Sequence, residues 1–557
     1  MSHSAFHRPI GRRGLIAGAG GAAALFASGG LAGCSGGSSG SSGESAENTA
    51  VLPTYVPYTG VQPDLPGTEE GVDPGFYNWP AENPTAVPEV PGNGETVTGM
   101  ANIYFAVPPG PGSNSYWAGL NERLGVDLQL QMVSNADYLQ KFPTTIAGND
   151  LPDMLQVPNG FPPPVPNMPQ LLEKRFTDLS EHLSGDAVKD YPNLANIPTR
   201  TWLNTVYNSG IYGIPIPRGA IGNYHFIRQD LFEKAGVSPA PESYEEFVDA
   251  TKALTDPKQR RWAFSQINQP RQLLGRMNDE PNIWAEEGGK LTHVYETEQY
   301  KQTVTDLIAM WKSGVMHPDS FNPQQPFKQL FNAGTVAINA ADGYPGWIQY
   351  QLDNASNPDF KLGLMPVYTR EGGELARWNL GSGFFSITLL KQQEDPERIK
   401  LILRVLNWLA APFGTAEYKY RLFGEEGVDH TLDATGNPVL TETGTTNTVL
   451  PIRYLADSPY NIYVPGRPDD ADVQHDYQSL EIPTGIANPV LGLYSNTASS
   501  KNATADKAFL DGVWDVVQER RQFAELDNLI ATWRSAVGDA MRTEYQDALQ
   551  KAGTTTG

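Results

Sequence analysis

The chain has a single cysteine, Cys34, among 557 residues. No internal disulfide is possible, and a zinc centre built on clustered cysteines is excluded. Stability must come from core packing. Histidine is scarce too, at eight residues. His3 and His7 lie in the leader, and His225 and His475 stand near acids, where core or loop duty is the plain reading. Neither H-E-x-x-H nor G-x-x-x-x-G-K-[ST] occurs. G-x-S-x-G appears only around Ser35 and Ser38, in Ser/Gly-rich chain that cannot form the strand–turn–helix of a nucleophile elbow. Positive charge is in deficit: 40 Lys and Arg against 63 Asp and Glu give a formal charge of −23. Such a surface repels phosphate backbones and argues against nucleic-acid binding. No cofactor and no metal site is expected.

What is present starts at the amino end. Arg12 and Arg13 precede a Gly-, Ala- and Leu-rich run over residues 14–33, which closes in Leu31-Ala32-Gly33-Cys34. A charged start, a mildly apolar middle and a small-residue cleavage site make residues 1–33 an export signal. The paired arginines resemble a twin-arginine signal. Leu-Ala-Gly-Cys resembles the lipobox of bacterial lipoproteins, which implies lipidation of Cys34. Residues 34–49 are Ser/Gly-rich and form a flexible leash. The body is therefore expected outside the cell, on the outer face of the cytoplasmic membrane, held there by its lipid anchor.

Residues 50–98 carry nine prolines among several aromatics. That density suits neither helix nor sheet interior, and predicts an extended strap on the first lobe. Strands and helices then alternate. A strand is predicted over 102–107, a helix over 116–124 and a strand over 126–133, where apolar and polar residues alternate. A helix over 137–146 and a strand over 153–157 follow. Further strands are predicted over 335–340, 361–367 and 384–389, and Asp395-Pro396 opens an apolar helix. The fold class is α/β, with parallel sheet covered by helices.

The positive chemical signal is aromatic. Trp117 stands at a strand-to-helix junction, Asp342-Gly343-Tyr344-Pro345-Gly346-Trp347 follows a strand, and Trp378 lies between Arg377 and Asn379. Ligands in α/β sheets gather at the carboxyl ends of strands. Aromatic faces beside amides and carboxylates suit a sugar ring with its C–H face and polar rim. Structural tryptophan in a crowded loop is the plain alternative for each.

Five segments carry a family resemblance: LPTYVPYTGVQPDLPGTEEGVDPGF (52–76), ERLGVDLQLQMVSNADYLQKFPTTIAGNDLPDM (122–154), YGIPIPR (212–218), NWLAAPFGTAEYKYRLFGEEGVDH (407–430) and ELDNLIATWRSAVGDAMRTEYQDAL (525–549). The chain resembles the extracellular solute-binding lipoproteins of ABC importers, in the large carbohydrate-type branch with the LipO/LplA-like proteins. The resemblance implies a two-lobed, type II periplasmic-binding-protein-like fold with a hinge and an interlobe cleft. Lobe 1 is expected over 99–213 and 372–455, and lobe 2 over 214–371 and 456–557. The chain is expected to be a monomer that closes on a carbohydrate and docks on a membrane permease. It is expected to be no enzyme. Trp117, Tyr344, Trp347 and Trp378 are the candidate ring contacts; Asp153, Arg218, Asp342 and Arg453 are the candidate polar ones. Relatives often carry a calcium loop after the helix corresponding to 243–254. Here residues 255–262 hold one acid, Asp256, which is too few oxygen ligands.

Two alternatives stay open. A peptide or amino-acid derivative needs a charged clamp, with Arg218 and Arg453 opposing Asp342. A surface-anchored glycoside hydrolase needs two carboxylates across a bond, and among 63 acids spacing singles out no pair.

Overall fold

The period-two pattern read from the sequence is realised where one face of a strand is covered. In the segment Val126–Ser134, Val126 and Leu128 are buried while Asp127, Gln129 and Gln131 face solvent. The computed structural model describes residues 51–148, 150–158, 168–340 and 342–551. The export leader, Cys34 and the Ser/Gly leash lie outside the described residues.

In chain order, β1 (Glu95–Ile103), α1 (Ser115–Leu124), β2 (Val126–Ser134), α2 (Asn135–Ala147) and β3 (Met154–Pro158) alternate. β4 (Ile214–Pro217) and β5 (Phe226–Arg228) flank a first crossing. There follow β6 (Trp262–Phe264), α3 (Asn268–Met277), α4 (Glu298–Lys312), β7 (Val336–Asn339), α5 (Gly346–Asp353) and β8 (Leu362–Leu364). β9 (Phe384–Leu390) and α6 (Pro396–Leu409) come after a second crossing, and α7 (Asp469–Glu481), α8 (Ala503–Val517), α9 (Leu526–Trp533) and α10 (Asp539–Lys551) close the chain. Local chemistry sets the ends. Asn114 caps α1 by accepting from Trp117 N–H, and Gly125 stops it at φ 63°. Asp395 caps α6 with Pro396 just inside.

Two sheets result. The first has the order β2-β1-β3-β9-β4, the second β8-β5-β7-β6. β1 runs parallel to β2 and β3, while β9 runs antiparallel to β3 and β4. In the second sheet β7 runs parallel to β6 and antiparallel to β5. Each sheet is buried on both faces. Trp117, Leu128, Ile402 and Leu406 belong to one first-lobe core, and Tyr138, Phe142, Leu155 and Ile387 to the other. The second lobe packs Phe264, Leu274, Val304, Val513 and Trp533 in one core and Phe226, Trp347, Tyr350 and Tyr477 in the other. This is the two-lobed α/β fold that the sequence predicts, and α8, α9 and α10 dock on the second lobe.

Three boundaries differ from expectation. The first strand runs over Glu95–Ile103 rather than 102–107, so the strap ends before Glu95. The apolar run after Ile103 instead leaves the sheet and exposes Tyr104 and Val107. The segment Ile214–Pro217, expected to open lobe 2, pairs with β9 in the first sheet. Pro215 and Pro217 have no N–H to give, and an edge strand with one partner tolerates that. No helix among the described residues is long and apolar enough to cross a membrane.

Candidate functional site

Two of the crossings between the lobes bind each other. Arg218 N–H donates to Gly383 O and Gly381 N–H donates to Ala220 O, both at 2.9 Å. A cavity of about 550 Å³ opens beside this hinge. One wall is α3, which begins just after β6 and so lies at the carboxyl end of the parallel β6–β7 pair, the usual ligand end of an α/β sheet. The crossings supply Gly222, Asn223 and residues 378–382, and Asn488 and Leu491 complete the lining. A separate cavity of about 280 Å³ is walled by Leu203, Tyr207 and Phe384 of the first lobe and by residues 492–495.

Buried charge orders the deeper cavity. Arg276, on α3, donates from Nη2 to Glu481 Oε2 at 2.6 Å and to Ala376 O at 3.0 Å, and from Nε to Arg377 O at 3.1 Å. Its guanidinium lies 4.1 Å over the ring of Trp378, and His225 stacks on the same indole with centroids 4.9 Å apart. Arg276 Nη1 is 3.4 Å from His225 Nδ1. An arginine only donates, so Nδ1 accepts and the ring proton sits on Nε2. Burial, then the charge of Arg276, hold the His225 pKa well below the ordinary imidazole range, so the ring is neutral at physiological pH. Burial pushes the Glu481 carboxyl up, against the pull of Arg276 and of Val367 N–H. Arg271, one turn earlier on α3, meets Glu280 Oε2 at 3.0 Å. Burial works against its charge, but Glu280 and two neighbouring tyrosines more than offset this and hold the guanidinium above the usual arginine range.

The loop after α3 is strained. Ile283, half exposed on the cavity rim, has φ 66°, a region that β-branched residues avoid. Asn282 fixes it there, its Nδ2 donating to Leu380 O and Ile486 O, both at 2.9 Å.

Of the eight residues expected to touch ligand, only Trp378 lines this cavity. Trp117 is buried in the first-lobe core, its Nε1–H donating to Leu128 O at 3.0 Å. Trp347 is 1% exposed and donates to Asp470 Oδ2 at 2.9 Å. Both indoles are covered and present no face to a ligand. Asp153 sits just before β3, at the amino end of the parallel strands, where it pairs with Arg398 at 2.8 Å and accepts from Thr98 N–H at 2.8 Å. That end is away from the hinge. Asp342 accepts from Tyr350 Oη at 2.7 Å and pairs with Lys328 at 3.0 Å. Buried Tyr344 accepts from Gly219 N–H at 3.2 Å. Arg218 and Arg453 do come together, each 3.9 Å from Asp457, but Arg218 lines a different cavity under the strap. Asp342 is committed elsewhere and does not oppose them. Sequence reasoning missed Asn223, Arg271, Arg276, Glu280 and Asn282; the signal was the polar cluster Asn278-Asp279-Glu280-Pro281-Asn282 directly after an arginine-bearing helix. It also missed Tyr104, half exposed after β1 and packed against Phe385 and Tyr454. Asp256 caps a short turn, its Oδ1 accepting from Lys258 and Gln259 N–H. Among the described residues no group of three or more His, Cys, Asp or Glu is placed to hold a metal.

Two α/β lobes, paired crossings and a polar cavity beside them define a two-lobed binding protein. The chain belongs to the family of bacterial extracellular solute-binding proteins, whose model matches residues 109–413, more than half of its length. It is similar to the polygalacturonan/rhamnogalacturonan-binding protein YtcQ of Bacillus subtilis, with 23% identity over 397 residues, covering 66% of this chain and 76% of that protein. Among solved structures, the alginate-binding protein AlgQ2 without calcium ion superposes with a TM-score of 0.58 at 14% identity, over 84% of this chain and 100% of the other. The S. pneumoniae ABC-transporter substrate-binding protein FusA in complex with kestose gives 0.58 at 16% identity, over 82% and 99%. At these identities the structures bear on the fold alone.

Proposed function

We propose that this protein captures an oligosaccharide outside the cell, in the crevice beside the hinge, and delivers it to an ABC permease while tethered to the membrane through a lipid on Cys34. The observation that carries the reading is the lining of the 550 Å³ cavity: five side-chain amides, from Asn223, Gln272, Asn282, Asn379 and Asn488, around a buried tryptophan. An amide both donates and accepts, as a sugar hydroxyl does, so the two match without net charge. The sequence relative supports the class, since YtcQ is named for polysaccharide binding. The lobes hinge at residues 218–222 and 380–383, and closure about that hinge buries the sugar.

A thermal-shift screen of the mature chain tests this. A ligand that binds only the native state raises apparent stability by RT ln(1 + [L]/Kd), about 2.7 kcal/mol at a hundredfold excess over Kd. Oligosaccharides are expected to raise the melting temperature, and peptides and free amino acids to leave it unchanged. Peptides that raise it where saccharides do not would refute the reading.

A further inference from the structure

The charge ledger of the crevice goes beyond a general preference for sugars, and it rests on the reading above. We infer that the crevice selects uncharged saccharides over uronates, with Glu280 as the group that sets the preference.

The lining of the 550 Å³ cavity contains two cations, Arg271 and Arg276, and one carboxylate, Glu280. Each cation already faces a carboxylate. Arg276 is paired with Glu481 at 2.6 Å and donates to two main-chain carbonyls. Arg271 is paired with Glu280 at 3.0 Å. The ring of His225 carries no charge at physiological pH, as derived above. The two ion pairs cancel, and a uronate entering this space brings a buried anion with no counter-ion, next to a fixed carboxylate. Burying a charge without a partner is the costliest exchange a site can make.

Glu280 adds a positive reason. Its side chain is 3% exposed, and its Oε1 is buried with no hydrogen-bond partner among the described residues, while Oε2 is held by Arg271. Gly275, on α3, leaves room for it, since a Cβ there would stand 2.7 Å from Oε2. An unpartnered carboxylate oxygen on a residue that lines a ligand cavity asks for a donor. A sugar hydroxyl supplies one; a uronate carboxylate supplies only acceptors. The two named relatives that bind acidic polymers, YtcQ and AlgQ2, do not dictate the ligand at 23% and 14% identity.

The test is calorimetric titration with charge-matched pairs: galacturonate, mannuronate and glucuronate oligomers, each beside its carboxyl-reduced or methyl-esterified counterpart. Wherever a pair binds, the neutral member is expected to bind at least about tenfold tighter. A uronate that binds as tightly as its neutral partner overturns the selectivity and leaves the saccharide reading standing. If no saccharide of either kind binds, both fall. Glu280→Gln separates charge from shape. It frees the Arg271 guanidinium, so uronate affinity is expected to rise by about tenfold while the neutral ligand weakens. A merely structural Glu280 lowers both together, which would overturn its assigned role; if this variant does not fold, the wild-type pairs decide alone.

Discussion

At the scale of single residues, the two tryptophans that look alike in sequence differ in what surrounds them. Trp347 follows a strand and a Gly-Tyr-Pro-Gly turn, but its indole packs among second-lobe core residues and donates to Asp470. Trp378 lies in a cavity wall, where Arg276 and His225 both pack on its ring. Trp347→Phe is therefore expected to lower the melting temperature and leave the Kd for the best saccharide within about twofold. Trp378→Phe is expected to weaken binding by about 1–2 kcal/mol, roughly five- to thirtyfold in Kd. Calorimetry on both variants checks this, and equal losses at the two positions would contradict the geometry. The sequence disclosed that tryptophans sit at strand ends but not which way they point. One residue of rotation on a helix moves a side chain from crevice to core, and Trp347 is the second residue of α5. The pairing of Arg276 with Glu481 was illegible for another reason. Ion pairs such as Arg276–Glu481 join residues some two hundred positions apart, and no local pattern marks them.

At the scale of elements, most of the fold was readable because strands buried on one side alternate and capped helices announce their ends. The misplacement of β1 is instructive. Ile103-Tyr104-Phe105-Ala106-Val107 is more apolar than Thr96-Val97-Thr98, so hydrophobicity pointed past the strand, while β-branched residues flanked by a turn marked its true start. The Tyr-Gly-Ile-Pro segment leads into the first crossing, and its glycine has a specific duty. Gly213, with φ 129°, immediately precedes β4, and a Cβ there would lie 2.6 Å from Ile387 Cγ2 and 2.8 Å from Thr388 O, both on β9. Gly213→Ala is expected to cost about 2 kcal/mol or more, combining a strained backbone with a clash against main chain. A drop in the urea midpoint at unchanged slope checks this. The same midpoint as wild type would mean that β4 and β9 do not pack as described.

At the scale of the whole molecule, the strap ties one lobe to elements that serve the other. Thr54 and Val56 N–H bond to Gly185 and Ala195 of the first lobe, whereas Asp73 N–H bonds to Gln478 of α7, which packs on the second. Between these attachments lies a cavity of about 750 Å³ that includes Asp73 and Arg200. Asp73 is half-buried, and it lines this cavity. Burial pushes its pKa up to about 7, against a hydrogen bond from Gln478 and the charge of Arg200. The consequence runs opposite to that of an ion-paired aspartate. The unfolded chain releases this proton near pH 4, the folded chain only near 7, so between those values the native state binds more protons. The contribution of Asp73 is thus fully present at low pH, declines as pH rises through that window and levels off above it. Asp73→Asn carries no such proton. It accepts from Gln478 as before, and its stability relative to wild type is expected to rise between pH 5 and pH 8. Urea midpoints for both chains at the two pH values decide the matter. A difference that does not change with pH would show that the strap closes over Asp73 less tightly than its packing indicates, and would remove the strap as a pH-responsive tie between the lobes.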